Sequence, residues 1–172
     1  MRVADWIFQY LKDYGVKYIF LVTGGGAMYL DDAIKKSGIK YVCFHHEQAA
    51  AMAAEGYART LGRLAVVCVT SGPGGTNCVT GILGQWTDSV PVLYLSGQVN
   101  EFLKKPKDLR QLGDQEVDIV SIVKPITKYT KTIKNPQEIM EELPKAVKIA
   151  TLDRFGPVWL DIPLGTQQND IS

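Results

Sequence analysis

The sequence predicts an α/β fold with three layers, in which a mainly parallel sheet of about six strands lies between two layers of helices. Short apolar runs alternate with segments of helical periodicity along most of the 172 residues. The clearest run, LAVVCVT at residues 64–70, is β-branched and continuously apolar, as strands buried on both faces are. Strands that alternate with helices pair in parallel and are covered by helices on both sides.

The individual elements follow from these patterns in chain order. Helices are predicted where apolar residues recur three or four positions apart or where alanine dominates, and Gly38 ends the second of them. The predicted strands are 18–22, 41–44, 64–70, 90–97 and 157–163. The predicted helices are 3–14, 28–37, 45–62, 78–89, 115–123 and 135–153.

The rest of the chain is polar and irregular. Residues 100–134 show little beyond the short helix, and residues 164–172 are turn-like in composition. This organisation predicts one domain over residues 1–164, followed by a tail or the start of an interdomain linker over residues 165–172.

Composition excludes several classes of function. Apolar residues make up 46% and charged residues 22% of the chain, which are ordinary values for one soluble globular domain. The formal net charge of +1 gives no electrostatic reason to expect a nucleic acid or a membrane surface as partner. No apolar run approaches the ~18 residues of a membrane helix, and the N-terminus lacks a secretion cleavage site. Three cysteines without metal-like spacing add to the prediction of a reduced, cytoplasmic protein.

Three predicted loops place glycines and one carboxylate at the same edge of the sheet. Parallel sheets bind ligands at the carboxyl ends of their strands, where loops 23–27, 44–47 and 70–77 meet. Neither glycine-rich loop fits a dinucleotide site, because both lack the third glycine of G-x-G-x-x-G and the expected downstream acid. A P-loop is also excluded, since G-K-[ST] does not occur.

The sequence indicates neither a nucleophile nor a metal site. Ser71 follows a predicted strand but does not lie in a G-x-S-x-G motif. His45 and His46 are adjacent at a strand end, so we expect one to face the core and the other to face solvent. H-E-x-x-H is absent as well, and no metal ligands are predicted.

Glu47 is the remaining candidate, at the predicted start of an alanine-rich helix. A carboxylate in this position could simply cap the helix, because the exposed backbone N–H groups and the helix dipole favour negative charge. It could equally act on a ligand held by the neighbouring loops. The local sequence leaves both interpretations open.

The ordered motifs around Glu47 resemble the N-terminal, pyrimidine-binding domain of thiamine-diphosphate-dependent enzymes, especially the acetolactate synthase-like branch. HHEQAAAMAAEGYAR is similar to the family's glutamate and the alanine-rich helix that ends in Gly-Tyr-Ala-Arg. Residues 71–77 match the family's Ser-Gly-Pro-Gly-x-x-Asn turn. GVKYIFLVTGGGA, KPITKYTKTI and GPVWLDIP also look like family segments, so the resemblance spans roughly residues 1–164.

The resemblance implies that Glu47 activates thiamine diphosphate. In the family this glutamate hydrogen-bonds N1′ of the aminopyrimidine and favours the imino tautomer, whose nitrogen removes the C2 proton of the thiazolium ring. The whole enzyme would then be a thiamine-diphosphate-dependent transferase or lyase.

The resemblance also assigns roles to the glycine-rich loops. Glycines after the third strand would let the backbone pass close beside the pyrimidine, and an asparagine would fix their turn. The implied cofactor-binding residues are Gly72, Pro73, Gly74 and Asn77, and the implied substrate-side residues are Gly25, Gly26 and Gln115.

Two departures from the family concern the substrate. Acetolactate synthases carry a Tyr-Pro-Gly-Gly type of turn where residues 23–26 read Thr-Gly-Gly-Gly. They carry Ala-Phe-Gln-Glu where residues 113–116 read Gly-Asp-Gln-Glu. Asp114 thus replaces an apolar contact, which argues against acetolactate itself as product. The resemblance implies carboligation or decarboxylation of 2-oxo acids or related carbonyl compounds.

The family binds the diphosphate and its Mg²⁺ through a separate domain with a Gly-Asp-Gly signature, which this chain lacks. The resemblance therefore implies a phosphate-binding domain, on the same or another chain, as partner, and predicts that this chain alone is inactive. It also implies a homo-oligomer, at least a dimer, with an interface around residues 47–60 and 76–88. It carries no expectation for FAD. A non-catalytic assembly module and a subunit of a split sulfopyruvate decarboxylase-like enzyme remain alternatives.

Overall fold

The computed structural model describes residues 1–100 and 108–171, in which six strands form one sheet. The strands are β1 (Tyr18–Leu21), β2 (Lys40–Cys43), β3 (Ala65–Val69), β4 (Val92–Gln98), β5 (Tyr129–Thr132) and β6 (Val158–Pro163). Every neighbouring pair is parallel, and the order across the sheet is β2-β1-β3-β4-β6-β5. The predicted α/β fold with a parallel sheet of about six strands is confirmed.

Helices connect the strands and cover the sheet. The α-helices are α1 (Val3–Tyr14), α2 (Met28–Ser37), α3 (Glu47–Leu61), α4 (Pro73–Thr76), α5 (Val79–Thr87), α6 (Ile119–Val123), α7 (Ile139–Thr151) and α8 (Leu164–Gln168). The bounds of α1 and α2 agree with the prediction. Both end at a glycine in the left-handed conformation, Gly15 with φ 103° and Gly38 with φ 74°, as is common for helix C-termini.

Alternate residues of the central strands enter two separate cores. Val66 and Cys68 of β3 pack with α1, α2 and α7, whereas Val67 and Val69 pack with α3, α5 and α6 on the other face. Successive side chains of a strand point to opposite faces, so a strand covered on both faces must be apolar at every position. This packing explains why the central strands read as continuous apolar runs.

The two edge strands differ from the prediction. β5 lies in the segment expected to be irregular, and its four residues are half-buried beside β6. β2 was predicted from the apolar run at residues 41–44, but all four of its residues are exposed. The reason is its position at the edge, where β1 is its only strand partner in the described part of the sheet. Cys43 is therefore an exposed thiol, whereas Cys68 and Cys78 are buried.

The segment after β6 packs against the domain. Residues 164–168, expected to belong to a tail, form α8, and Thr166 and Gln167 are fully buried. The backbone N–H of Val3 donates to the Asn169 carbonyl at 2.9 Å, and the Met1 amino group lies 3.2 Å from the Asp170 carboxylate. The first and last described residues are thus joined, while Ser172 lies outside the described residues. The domain boundary at residue 164 stays a prediction.

Over residues 1–100 and 108–171, no helix combines the length and the apolar character needed to cross a membrane.

Candidate functional site

Glu47 is the first residue of α3, directly after the loop that follows β2. The helix cap is provided by His46, whose Nδ1 accepts a hydrogen bond from the Gln48 backbone N–H at 3.1 Å. The Glu47 side chain turns instead towards the loop after β3, where Asn77 Nδ2 donates to Glu47 Oε2 at 2.9 Å. The sequence left open whether Glu47 caps the helix or acts on a ligand. Because His46 caps the helix, the Glu47 carboxylate is not needed for that role.

His45 and His46 are both exposed, so the expectation that one of them faces the core is wrong. The physical reason is that they continue from an edge strand whose side chains are already exposed. No group of three or more His, Cys, Asp or Glu residues suited to a metal ion occurs in the described parts of the chain.

The turn at residues 71–77 brings the predicted cofactor-binding residues next to Glu47. Gly72 has φ 59° and ψ −120°, a conformation that essentially only glycine adopts, and Pro73 begins α4. A β-carbon on Gly74 would lie 3.8 Å from Glu47 Oε1. Asn77 donates its backbone N–H to the Pro73 carbonyl, but its side chain reaches Glu47 rather than the turn that we expected it to fix.

The loop at residues 24–27 lies beside this turn through contacts with Thr70. The Gly26 backbone N–H donates to Thr70 Oγ1 at 3.0 Å, and a β-carbon on Gly74 would come within 2.8 Å of Thr70 Cγ2. Gly25 faces open space, because a β-carbon there would meet nothing within 4 Å. Thr70 was not identified from the sequence, although its position between a buried strand and a glycine turn was the available signal.

Gln115 lies against the glycine turn. A β-carbon on Gly72 would be only 2.3 Å from the Gln115 carbonyl oxygen, so the two backbones are in close contact. Gln115 itself is exposed and has φ 55°. The residues predicted from the sequence therefore lie together at one edge of the sheet. That the Gln115 side chain faces the substrate stays a prediction.

Two acids with raised pKa values, the half-buried Asp31 and the buried Asp161, were not predicted from the sequence. Asp31 on α2 accepts a hydrogen bond from the Gly24 backbone N–H at 3.2 Å, and burial raises the pKa of its carboxyl to about 6. Asp161 within β6 is 3% exposed and accepts a hydrogen bond from Ser96 Oγ at 2.6 Å. Burial raises the pKa of the Asp161 carboxyl to about 7. Asp161 lines a pocket of about 650 Å³ together with Gln98 and Lys134.

The raised pKa of Asp161 predicts a dependence of stability on pH. Because the folded-state pKa lies above the ordinary 3.8, the folded protein binds more protons than the unfolded chain between the two values. The free energy of unfolding should therefore fall as the pH rises from about 4 to about 7, by at most about 4 kcal/mol from this group.

Urea unfolding across this pH range checks the expectation. Asp161→Asn should make the pH profile less steep, and the slope that remains should come from Asp31, whose pKa is also raised. Asp153→Asn, which alters an exposed acid, is the control and should retain the profile of the parent protein. An Asp161→Asn profile as steep as that of the parent protein would rule out this residue as the source.

Comparison with known proteins gives a consistent result. Residues 1–122 match the sequence model of the family described as thiamine pyrophosphate enzyme, N-terminal TPP binding domain. The chain is 43% identical over 164 residues to the acetolactate synthase large subunit of Haemophilus influenzae, which covers 95% of this chain and 28% of the relative. It is 42% identical over 171 residues to the probable acetolactate synthase large subunit of Methanocaldococcus jannaschii, with 99% and 28% covered.

A third relative, the acetolactate synthase isozyme 2 large subunit of Escherichia coli, is 36% identical over 168 residues, with 97% of this chain and 30% of the relative covered. The chain thus spans less than a third of the length of these relatives. The family match covers most of the chain and includes Glu47 and both glycine-rich loops. The chain belongs to the family of thiamine pyrophosphate enzyme N-terminal, TPP-binding domains.

Proposed function

We propose that this domain binds the aminopyrimidine of thiamine diphosphate beside Glu47, and that Glu47 activates the cofactor at C2. The hydrogen bond from Asn77 to Glu47 carries the proposal. It occupies Oε2 at 2.9 Å, and no described residue donates a hydrogen bond to Oε1. One carboxylate oxygen is therefore oriented by the protein while the other is available to a ring nitrogen.

The surroundings of Glu47 fit a flat heterocycle. Any side chain at Gly74 would enter the space beside Glu47 Oε1, and Gly25 leaves open space in the neighbouring loop. Glycine at these positions allows a ring to approach the backbone, where larger residues would obstruct it. The proposed cofactor contacts are those of Glu47, Gly72, Pro73, Gly74 and Asn77.

The mechanism assigns a proton to Glu47. Thiamine diphosphate, when bound, supplies a thiazolium C2–H whose loss yields a carbon nucleophile. Glu47 Oε1 would hold a proton at N1′ of the pyrimidine and exchange it with the ring, while Asn77 fixes the orientation of the carboxylate. A positioned acid or base of this kind typically contributes about 10²- to 10⁴-fold in rate.

The domain would act as part of a larger enzyme. The sequence lacks the family's Gly-Asp-Gly signature, so we assign the diphosphate and Mg²⁺ to a separate phosphate-binding domain. Relatives named acetolactate synthase support a transferase or lyase that joins or decarboxylates 2-oxo acids or related carbonyl compounds. Gly25, Gly26 and Gln115 would lie on the substrate side.

Assembly with a second chain is supported by the outer surfaces of α3 and α5. Met52 on α3 is 47% exposed, and Leu83 and Trp86 on α5 are 48% and 39% exposed. Exposed large apolar side chains on two neighbouring helices favour an interaction surface there. We therefore propose that these two helices contact a partner domain in an oligomer that is at least a dimer.

Titration with thiamine diphosphate tests the proposed function. In the complete protein with Mg²⁺, we expect saturable binding measured by calorimetry. Residues 1–171 alone should bind at least 100-fold more weakly, because the diphosphate contacts would be missing. Tight binding by residues 1–171 alone would contradict the division between two domains. No binding by the complete protein would favour a non-catalytic assembly module.

A further inference from the structure

Gln167 on α8 is a fully buried amide that holds two backbone carbonyls. Its Nε2 donates to the carbonyl oxygens of Gly26 and Ile162, at 2.7 Å in both cases. Its Oε1 has no hydrogen-bond partner within the described residues. A flipped amide would take its donor away from both carbonyls, so the two carbonyls determine the orientation of the side chain.

The other groups around Gly26 are equally constrained. The Gly26 backbone N–H donates to Thr70 Oγ1 at 3.0 Å. A β-carbon on Gly97 of β4 would lie 2.0 Å from the Gly26 carbonyl oxygen. This carbonyl therefore packs directly against the β4 backbone, and a side chain at position 97 would collide with it. Side chains from two distant parts of the chain therefore fix both polar backbone groups of Gly26.

Such anchoring matters because glycine has little conformational preference of its own. Gly24, Gly25 and Gly26 follow one another in the sequence, and nearby residues order them through the 3₁₀ turn Gly25–Ala27 and the hydrogen bond from the Gly24 N–H to Asp31. Without outside contacts, three successive glycines would sample many backbone conformations.

We propose that Gln167 and Thr70 are positioning residues that fix the Gly25–Gly26 backbone. The proposal rests on the proposed function in one respect, namely that this backbone lies on the substrate side of the cofactor. α8 would then help to position the site, although Gln167 lies beyond the residues 1–122 that match the family.

Amide hydrogen exchange of the complete, cofactor-free protein, followed by mass spectrometry, tests the proposal. Gln167→Met keeps much of the side-chain volume but removes the amide donor, and it should speed exchange of residues 24–27 at least tenfold. Gln168→Met is the matched control, because Gln168 is exposed and its side chain accepts a hydrogen bond from Tyr29 Oη rather than contacting Gly26. It should change exchange there by less than twofold.

Thr70 provides an independent pair of variants should Gln167→Met fail to fold. Thr70→Val removes the acceptor of the Gly26 N–H and should also speed exchange of residues 24–27 at least tenfold. Thr70→Ser keeps a hydroxyl and should restore the parent rate to within threefold. Exchange of β3 should remain at the parent rate in all variants, since a general loss of stability would change it as well.

The outcomes separate this proposal from the proposed function. Exchange at residues 24–27 within twofold of the parent in Gln167→Met, or in Thr70→Val if the first variant does not fold, would overturn the positioning role. Equal acceleration in Thr70→Val and Thr70→Ser would also overturn it. These measurements contain no cofactor, so failure of the complete protein to bind thiamine diphosphate would refute the proposed function and leave the exchange result standing.

Discussion

Glu47→Gln should abolish exchange of the C2 proton of bound thiamine diphosphate while the domain stays folded. Glutamine has nearly the volume of glutamate, and its carbonyl oxygen can still accept the hydrogen bond from Asn77. It cannot hold an exchangeable proton on an oxygen facing N1′, so the step assigned to Glu47 is lost. We expect the exchange rate to fall by about 10²-fold or more, as for other positioned acids and bases.

Proton exchange measured by nuclear magnetic resonance after acid quench would follow this step without any substrate. Glu55→Gln is a suitable control, since Glu55 lies two turns further along α3 and pairs with Arg59 at 2.8 Å. Its exchange rate should equal that of the parent protein. Normal exchange in Glu47→Gln would refute the catalytic assignment of Glu47.

Gly72→Ala should strongly destabilise the domain and weaken cofactor binding. At φ 59° and ψ −120° a residue with a β-carbon is strained by about 1–3 kcal/mol. The new β-carbon would also lie 2.3 Å from the Gln115 carbonyl oxygen, so one of the two backbones must move. Both effects act on the turn beside Glu47, and we expect a loss of about 3 kcal/mol in the free energy of unfolding.

Urea unfolding of the two glycine variants Gly72→Ala and Gly56→Ala would measure this difference. Gly56 lies inside α3, and a β-carbon there would meet nothing within 4 Å. Alanine at position 56 should therefore stabilise the helix by about 0.5–1 kcal/mol. Equal stability of Gly72→Ala and the parent protein would show that the turn can relax without cost.

The sequence sufficed for the central part of the fold because burial on both faces leaves a strong pattern. A strand such as β3 must be apolar at every position, and a helix such as α1 must be apolar on one side. The edge strands carry no such constraint. β5 is half-buried and rich in threonine and lysine, whereas β2 is apolar in sequence but exposed.

The site was predictable only in part. The position of Glu47 at the start of a helix followed from the alanine-rich segment behind it. The partner of its carboxylate did not, because Asn77 is 30 residues away and only the folded loops bring the two side chains together. The same holds for Gln167, whose turn-like surroundings in sequence gave no sign of a contact 141 residues away at Gly26.

The joined ends of the domain have a consequence for its architecture. The N–H of Ile171 donates to the Met1 carbonyl at 3.0 Å, and Arg2 pairs with Asp32, the neighbour of the acid that holds Gly24. Polypeptide attached at either end would thus leave the domain at one place, close to the glycine loop. Further polypeptide at either end could therefore be attached without crossing the sheet or its helices.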